Sequence, residues 1–103
     1  MNVQRIERLR KHLEADPTDP FTQYALALEY DAGGDTPLAI RTLEELVVQS
    51  PRYVPSYQQL GYLFQKTGQA DKACEIFNRG IAVARAENDL HAAGEMQEAL
   101  DEM

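Results

Sequence analysis

The sequence predicts an all-α protein built from antiparallel helix pairs. Three observations carry this reading. The chain repeats itself at an offset of 34 residues without a gap. Apolar residues inside each repeat recur four apart, and Gly or Pro stands where that spacing breaks.

At the 34-residue offset Leu26 falls on Leu60, Ala27 on Gly61, Tyr30 on Phe64 and Gly34 on Gly68. Ala39 then falls on Ala73, Ile40 on Cys74, Leu43 on Phe77 and Val47 on Ile81. Leu26 and Tyr30 share one helix face, as do Leu60 and Phe64. Ala39, Leu43 and Val47 form a second stripe, matched by Ala73, Phe77 and Ile81, so each repeat is two amphipathic helices. Asp19-Pro20 is a start signal for the first of them. The helices of each repeat are parted by Gly33-Gly34-Asp35-Thr36-Pro37 and by Thr67-Gly68-Gln69. Gly takes the left-handed backbone that ends a helix, and Thr36-Pro37 reads as a cap and first helical residue.

The register extends backwards. Pro17, Leu13 and Leu9 lie 34 residues before Pro51, Val47 and Leu43. Residues 3–15 therefore read as the second helix of an incomplete preceding repeat, with Val3, Ile6, Leu9 and Leu13 as its apolar stripe. Forwards the register fails, because Gly94, Glu95 and Glu98 replace the expected Leu, small residue and aromatic. Residues 88–102 remain helical in character, starting near Asn88, with Leu90, Ala93, Met96 and Leu100 on one side. A terminal helix with one face in water fits that pattern. Gly80 lies inside a helix, where it costs up to ~1 kcal/mol against Ala, and so predicts a tight helix crossing.

The second repeat resembles a tetratricopeptide repeat. Tyr57, Leu60, Gly61, Phe64, Ala73 and Phe77 fill the pattern W-x2-L-G-x2-Y…A-x3-F, with Tyr57 in place of Trp. In the first repeat Leu26, Ala27, Tyr30, Ala39, Leu43 and the closing Pro51 match. Gln23 stands where a large apolar residue is usual, and Phe21 and Tyr24 beside it are candidates to take over that packing. The resemblance covers residues 20–87. It implies one domain, a short right-handed α-solenoid: a half repeat at 1–19, repeats at 20–53 and 54–87, and a capping helix at 88–103. It also implies that Ala27, Gly61, Ala39 and Ala73 mark the closest helix approaches.

The same resemblance implies a concave groove, lined by the first helix of each repeat, that receives an extended peptide or a partner helix. Its expected lining is Phe21, Tyr24, Leu28 and Asp31, then Gln58, Tyr62, Gln65 and Lys66, with Ala92 and Met96 completing it. Phe21 and Leu28 read equally well as anchors or as inter-helix packing. Tyr24 and Tyr62 are the better anchors, since a phenol offers both area and a hydroxyl. Chaperone co-factors of this family clamp a peptide's terminal carboxylate with Lys, Asn and Arg. Tyr24 and Leu28 occupy corresponding sites and are neither cationic nor amide, so that clamp is absent from the first repeat.

Composition narrows the function classes. No segment approaches the ~20 apolar residues of a membrane helix. The first residues are charged throughout, which points away from a signal peptide and towards the cytoplasm. The single cysteine, Cys74, excludes an internal disulfide; its alignment with Ile40 predicts a buried, inert thiol. A net charge of −7 argues against nucleic acid as partner. Charge is uneven: residues 1–15 hold Arg5, Arg8, Arg10 and Lys11 against Glu7 and Glu14, whereas residues 87–103 hold six carboxylates and no Lys or Arg. Two readings of the acidic end stand open, a solubilising helix and a surface that meets a basic one, such as the first helix of another copy. His12 and His91 show no ligand spacing with each other or with Cys74, and no phosphate loop or nucleophile elbow is present, so neither metal, cofactor nor catalysis is expected. The expected function is a non-catalytic module that binds a protein or peptide. The alternative is self-assembly, as a homodimer or otherwise, through the terminal helices.

Overall fold

The computed structural model describes residues 2–103. Those residues form six helices and no strand: α1 (Val3–Ala15), α2 (Pro20–Ala32), α3 (Thr36–Gln49), α4 (Val54–Lys66), α5 (Ala70–Ala86) and α6 (Leu90–Asp101). They fall into two compact units, the first ending at Ser50 and the second beginning at Pro51. In the first unit α2 packs on both α1 and α3; in the second α4, α5 and α6 all pack on one another.

One turn is used three times. Gly34 (φ 90°), Gly68 (φ 76°) and Asn88 (φ 60°) hold the left-handed conformation between α2 and α3, α4 and α5, and α5 and α6. The next residue then turns its amide back onto the preceding helix: Asp35 N–H donates to Tyr30 O at 2.9 Å, Gln69 N–H to Phe64 O at 2.7 Å, and Asp89 N–H to Ala84 O at 2.7 Å. This closure satisfies carbonyls that a helix end would otherwise leave open. Asn88 is thus the turn residue rather than the helix start, because Asn tolerates the left-handed region. Asp89 caps α6 by accepting from Ala92 N–H at 3.1 Å. The cap of α3 likewise lies one residue before Thr36: Asp35 accepts from Leu38 N–H at 3.2 Å, and Thr36 turns its hydroxyl to Asp31 at 2.7 Å.

Side-chain volume sets the packing in the second unit. A Cβ added at Gly61 would overlap the Phe77 ring. One added at Gly80 would stand 2.6 Å from both Met96 Sδ and Tyr57 Cβ. Both glycines therefore clear room for a large neighbour, which is the tight crossing that Gly80 predicts. Tyr57, Phe77 and Met96 are essentially buried. In the first unit Ala27, Ala39, Leu43 and Leu46 are buried at 0–1% exposure, and no glycine lies inside a helix.

Several expected burial assignments change. On α1 only Ile6 is buried; Leu9 and Leu13 are half-buried and Val3 is 61% exposed. On α6 Leu90 is exposed, while Ala93 and Met96 are buried. Cys74 is half-buried rather than enclosed, its Sγ 4.0 Å from Met103 Sδ. Ile40, its partner in the register, is half-buried too.

Polar contacts tie α1 to α2. Arg5 pairs with Glu29 at 2.6 Å, and Arg10 donates to the Tyr30 hydroxyl at 3.1 Å. His12 Nε2 lies 3.0 Å from Asp19 Oδ2. The Thr22 hydroxyl, 2.6 Å from the same carboxylate, holds Asp19 below the usual carboxylate range, with His12 adding to the effect. In the second unit the Arg52 guanidinium grips Glu87 through Nε and Nη2 at 3.0–3.2 Å.

Candidate protein-binding surface

In the first unit the expected binding residues all lie on α2. Phe21, Tyr24, Leu28 and Asp31 follow a three-four-three spacing and share one stripe. Phe21 is 65% and Leu28 37% exposed, whereas Tyr24 and Asp31 are half-buried. Burial raises the Tyr24 phenol above its ordinary value, so it stays protonated and able to donate at neutral pH. Asp31 accepts the Thr36 hydroxyl. Phe21 does not take over the packing that Gln23 leaves unfilled, because it sits in the first turn of α2 and points into solvent.

Gln23 itself is held by hydrogen bonds. Its Nε2 donates to Pro17 O at 3.2 Å and to Gln49 Oε1 at 2.8 Å; its Oε1 is buried without a partner. In the second unit the Tyr57 hydroxyl donates to Pro51 O at 2.6 Å. Gln23 and Tyr57 correspond in the register, as do Pro17 and Pro51. The same helix position therefore reaches the same proline carbonyl in both units, by an amide in one and a phenol in the other.

In the second unit α4 carries Gln58, Tyr62, Gln65 and Lys66. Tyr62 is 38% exposed. Its ring stands edge-on to Phe77, centroids 5.6 Å apart with a 67° angle between planes, and its hydroxyl accepts from Gln58 Nε2 at 3.0 Å. The ring is thus fixed on two sides and open on the third. Gln58 and Gln65 are half-buried and Lys66 is exposed.

The contribution of α6 differs from expectation. Met96 is fully buried and Ala92 nearly so. Both face the core, since Met96 fills the space left by Gly80, and neither lines a binding surface. Glu95, Glu98, Ala99 and Glu102 face α4 instead. With Tyr62 and Gln65 they form a cleft of about 280 Å3 between α4 and α6. The three-one-three spacing of these residues marks one helix face. The signal for it lay in Gly80: once Met96 must fill that gap, the face bearing 95, 98, 99 and 102 turns towards α4.

Among the described residues no group of three or more His, Cys, Asp or Glu side chains is placed to hold a metal. His12 pairs with Asp19, and His91 with Glu95 at 3.2 Å along the exposed face of α6. No helix is long and apolar enough to cross a membrane.

No family model matches the chain. A TPR repeat-containing protein of Pseudomonas aeruginosa is 30% identical over 91 residues, covering 88% of this chain and 87% of that one. A tetratricopeptide repeat domain protein of Salinibacter ruber is 40% identical. Its crystal structure superposes with a TM-score of 0.75, covering 79% of this chain and 90% of that one, and its solution structure with 0.78, covering 81% and 84%. A protein of Bordetella parapertussis shares the fold at 22% identity, with a TM-score of 0.81 over 99% of this chain and 87% of its own. Register, helix pairs, repeated turn and these likenesses agree: the chain belongs to the tetratricopeptide repeat family, whose members generally mediate protein–protein contacts as non-catalytic scaffolds.

Proposed function

We propose that this chain binds a protein segment, as an extended peptide or a helix, along the exposed stripes of α2 and α4. The observation that carries this reading is the exposure of Phe21, Leu28 and Tyr62, at 65%, 37% and 38%, on helices whose other large apolar residues, the half-buried Tyr24 apart, are buried. Exposed aromatics beside donor and acceptor groups are what protein interfaces enrich. Tyr24, Asp31, Gln58, Gln65 and Lys66 would supply the polar contacts around those anchors. A short stack offers modest area, so affinity should be weak unless the partner is multivalent. The test is a peptide-display selection on the full chain, repeated with Tyr24→Ala and Tyr62→Ala. Selected peptides should lose binding to at least one variant; binding that survives both changes refutes the assignment.

The second reading is self-assembly through the terminal helices. Val3 on α1 and Leu90 on α6 are exposed apolar residues at 61% and 66%, and Arg8 and Lys11 are exposed on the basic first helix. Charge-paired copies should dissociate as salt screens them. Sedimentation at low and high salt tests this, and a monomer under both conditions excludes it.

A further inference from the structure

We infer that the cleft between α4 and α6 receives the side chain of an arginine in a partner peptide. This rests on the protein-interaction reading above and names the chemistry of the partner. Three features converge.

The first is shape and lining. The cleft, about 280 Å3, is bounded by the Tyr62 ring and Gln65 on one side and by Glu95, Glu98, Ala99 and Glu102 on the other. It lies just below the ~300–1,000 Å3 of small-molecule pockets, a size for one long side chain rather than a whole ligand. The second is the placement of charge. Glu98 and Asp101 stand in the last turn of α6 and Glu102 caps it, with no basic residue there. The C-terminus of a helix carries partial negative charge, so carboxylates there oppose its dipole. Among the described residues no cation pairs with Glu98 or Glu102, while Glu95 has only His91. This arrangement weakens the helix end in the free chain, and a cation supplied from outside relieves it. The third is Tyr62, whose ring is held by Phe77 and Gln58 and yet is 38% exposed.

Arginine satisfies all three. A planar guanidinium stacks on an aromatic face and bridges two carboxylates, whereas a lysine ammonium does only part of this. Complementarity to a net charge of −7 favours a basic segment over an acidic one.

The test uses the full chain and two fluorescent Gly/Ser peptides, one carrying two arginines and one carrying citrulline at both positions, with binding read by anisotropy and amide shifts. The arginine peptide should bind, shift residues 62, 95, 98, 99 and 102, and weaken as salt rises from about 0.05 M to about 0.3 M. The citrulline peptide should not bind. Glu98→Gln with Glu102→Gln should weaken binding about tenfold or more, and Tyr62→Leu should also weaken it. The charge-matched control, Glu44→Gln with Glu45→Gln on α3, should not, beyond a small loss from the change in net charge. The control should melt as the parent does, and Glu98→Gln with Glu102→Gln no lower than the parent, since it removes carboxylates that oppose the helix dipole. Equal binding of the two peptides, an equal loss in the control, or shifts elsewhere overturns the inference. So does salt-sensitive self-association abolished by Glu98→Gln with Glu102→Gln, which would make a second copy the occupant. Display-selected binders that need Tyr24 but show no enrichment in arginine would sink the cleft while leaving the interaction reading standing. If no display binder appears, the interaction reading fails, and the arginine probe still decides the cleft.

Discussion

Positions 23 and 57 occupy the same place in the repeat, and the two units solve that place differently. The second unit puts a tyrosine there, buries it, and clears space for its neighbours with Gly61 and Gly80. The first unit has Gln23, with Ala27 and Leu46 where the glycines would stand and Leu43 in place of Phe77. Large aromatic plus glycine in one unit is matched by medium aliphatic plus alanine or leucine in the other. What is retained is the hydrogen bond to the proline carbonyl, from Gln23 to Pro17 O and from Tyr57 to Pro51 O. The difference teaches that the two units of this chain keep a backbone tether while trading side-chain size between facing positions, glycine against Phe77 in one and Ala27 against Leu43 in the other.

The sharpest way to break the comparison is to truncate both positions. Tyr57→Ala should lose about 3–5 kcal/mol, as large core aromatics do. Gln23→Ala should lose only about 1–2 kcal/mol, since it gives up hydrogen bonds and an orphaned carbonyl oxygen but little apolar area. Equal losses, measured by denaturant unfolding, would contradict the account.

Transplanting the first unit's solution tests the volume argument. Gly61→Ala drives a methyl into the Phe77 ring and should destabilise by about 1–3 kcal/mol, despite the better helix propensity of Ala. Adding Phe77→Leu recreates the pair found at Ala27 and Leu43. The double variant should be more stable than the sum of single losses by about 0.5–3 kcal/mol. Strict additivity would show that the two positions do not share a volume.

Removing only the tether has a smaller effect. Tyr57→Phe keeps the ring and loses the 2.6 Å bond to Pro51 O, for about 0.5–1.5 kcal/mol.

The smallest effect is a pH dependence confined to the first unit. The Asp19 carboxyl is lowered in the folded chain, chiefly by Thr22. A depressed carboxyl stabilises above its unfolded value of about 3.9, and that contribution is lost as pH falls through the lower folded value. Asp19→Asn should therefore flatten the acid limb of the stability curve below about pH 4, with a small loss of stability at neutral pH, where the ionised carboxylate contributes, and little change in acid. Arg52 and Glu87 in the second unit, an exposed pair, should contribute little.

The 34-residue register made most of the fold legible. The span of α1 agrees with its apolar spacing, Pro20 opens α2, and Gly34 and Gly68 close the turns where the sequence placed them. Errors arose where two neighbours could do one job and only geometry chooses. Asp35 and Thr36 can both cap a helix, but only Asp35 reaches the Leu38 amide. Asn88 and Asp89 both suit a helix start, but the turn needs a left-handed residue first. The proposed binding surface was less legible, because helical spacing shows which residues share a face without showing which face meets a neighbour. Met96 belongs to the stripe of Ala93 and Leu100 and also lies near Ala92. Its burial follows from the gap at Gly80, a contact between two helices. The carboxylates of α6 read as surface charge in sequence and become one wall of a cleft only once α6 is laid against α4.

The most direct measurement of the central claim is amide chemical-shift mapping of a display-selected peptide titrated onto the full chain. Saturable shifts should concentrate at Phe21, Tyr24, Leu28 and Asp31 on α2 and at Gln58, Tyr62, Gln65 and Lys66 on α4. Shifts concentrated instead on the outward faces of α3 and α5, around Val48 or Glu75, would contradict it.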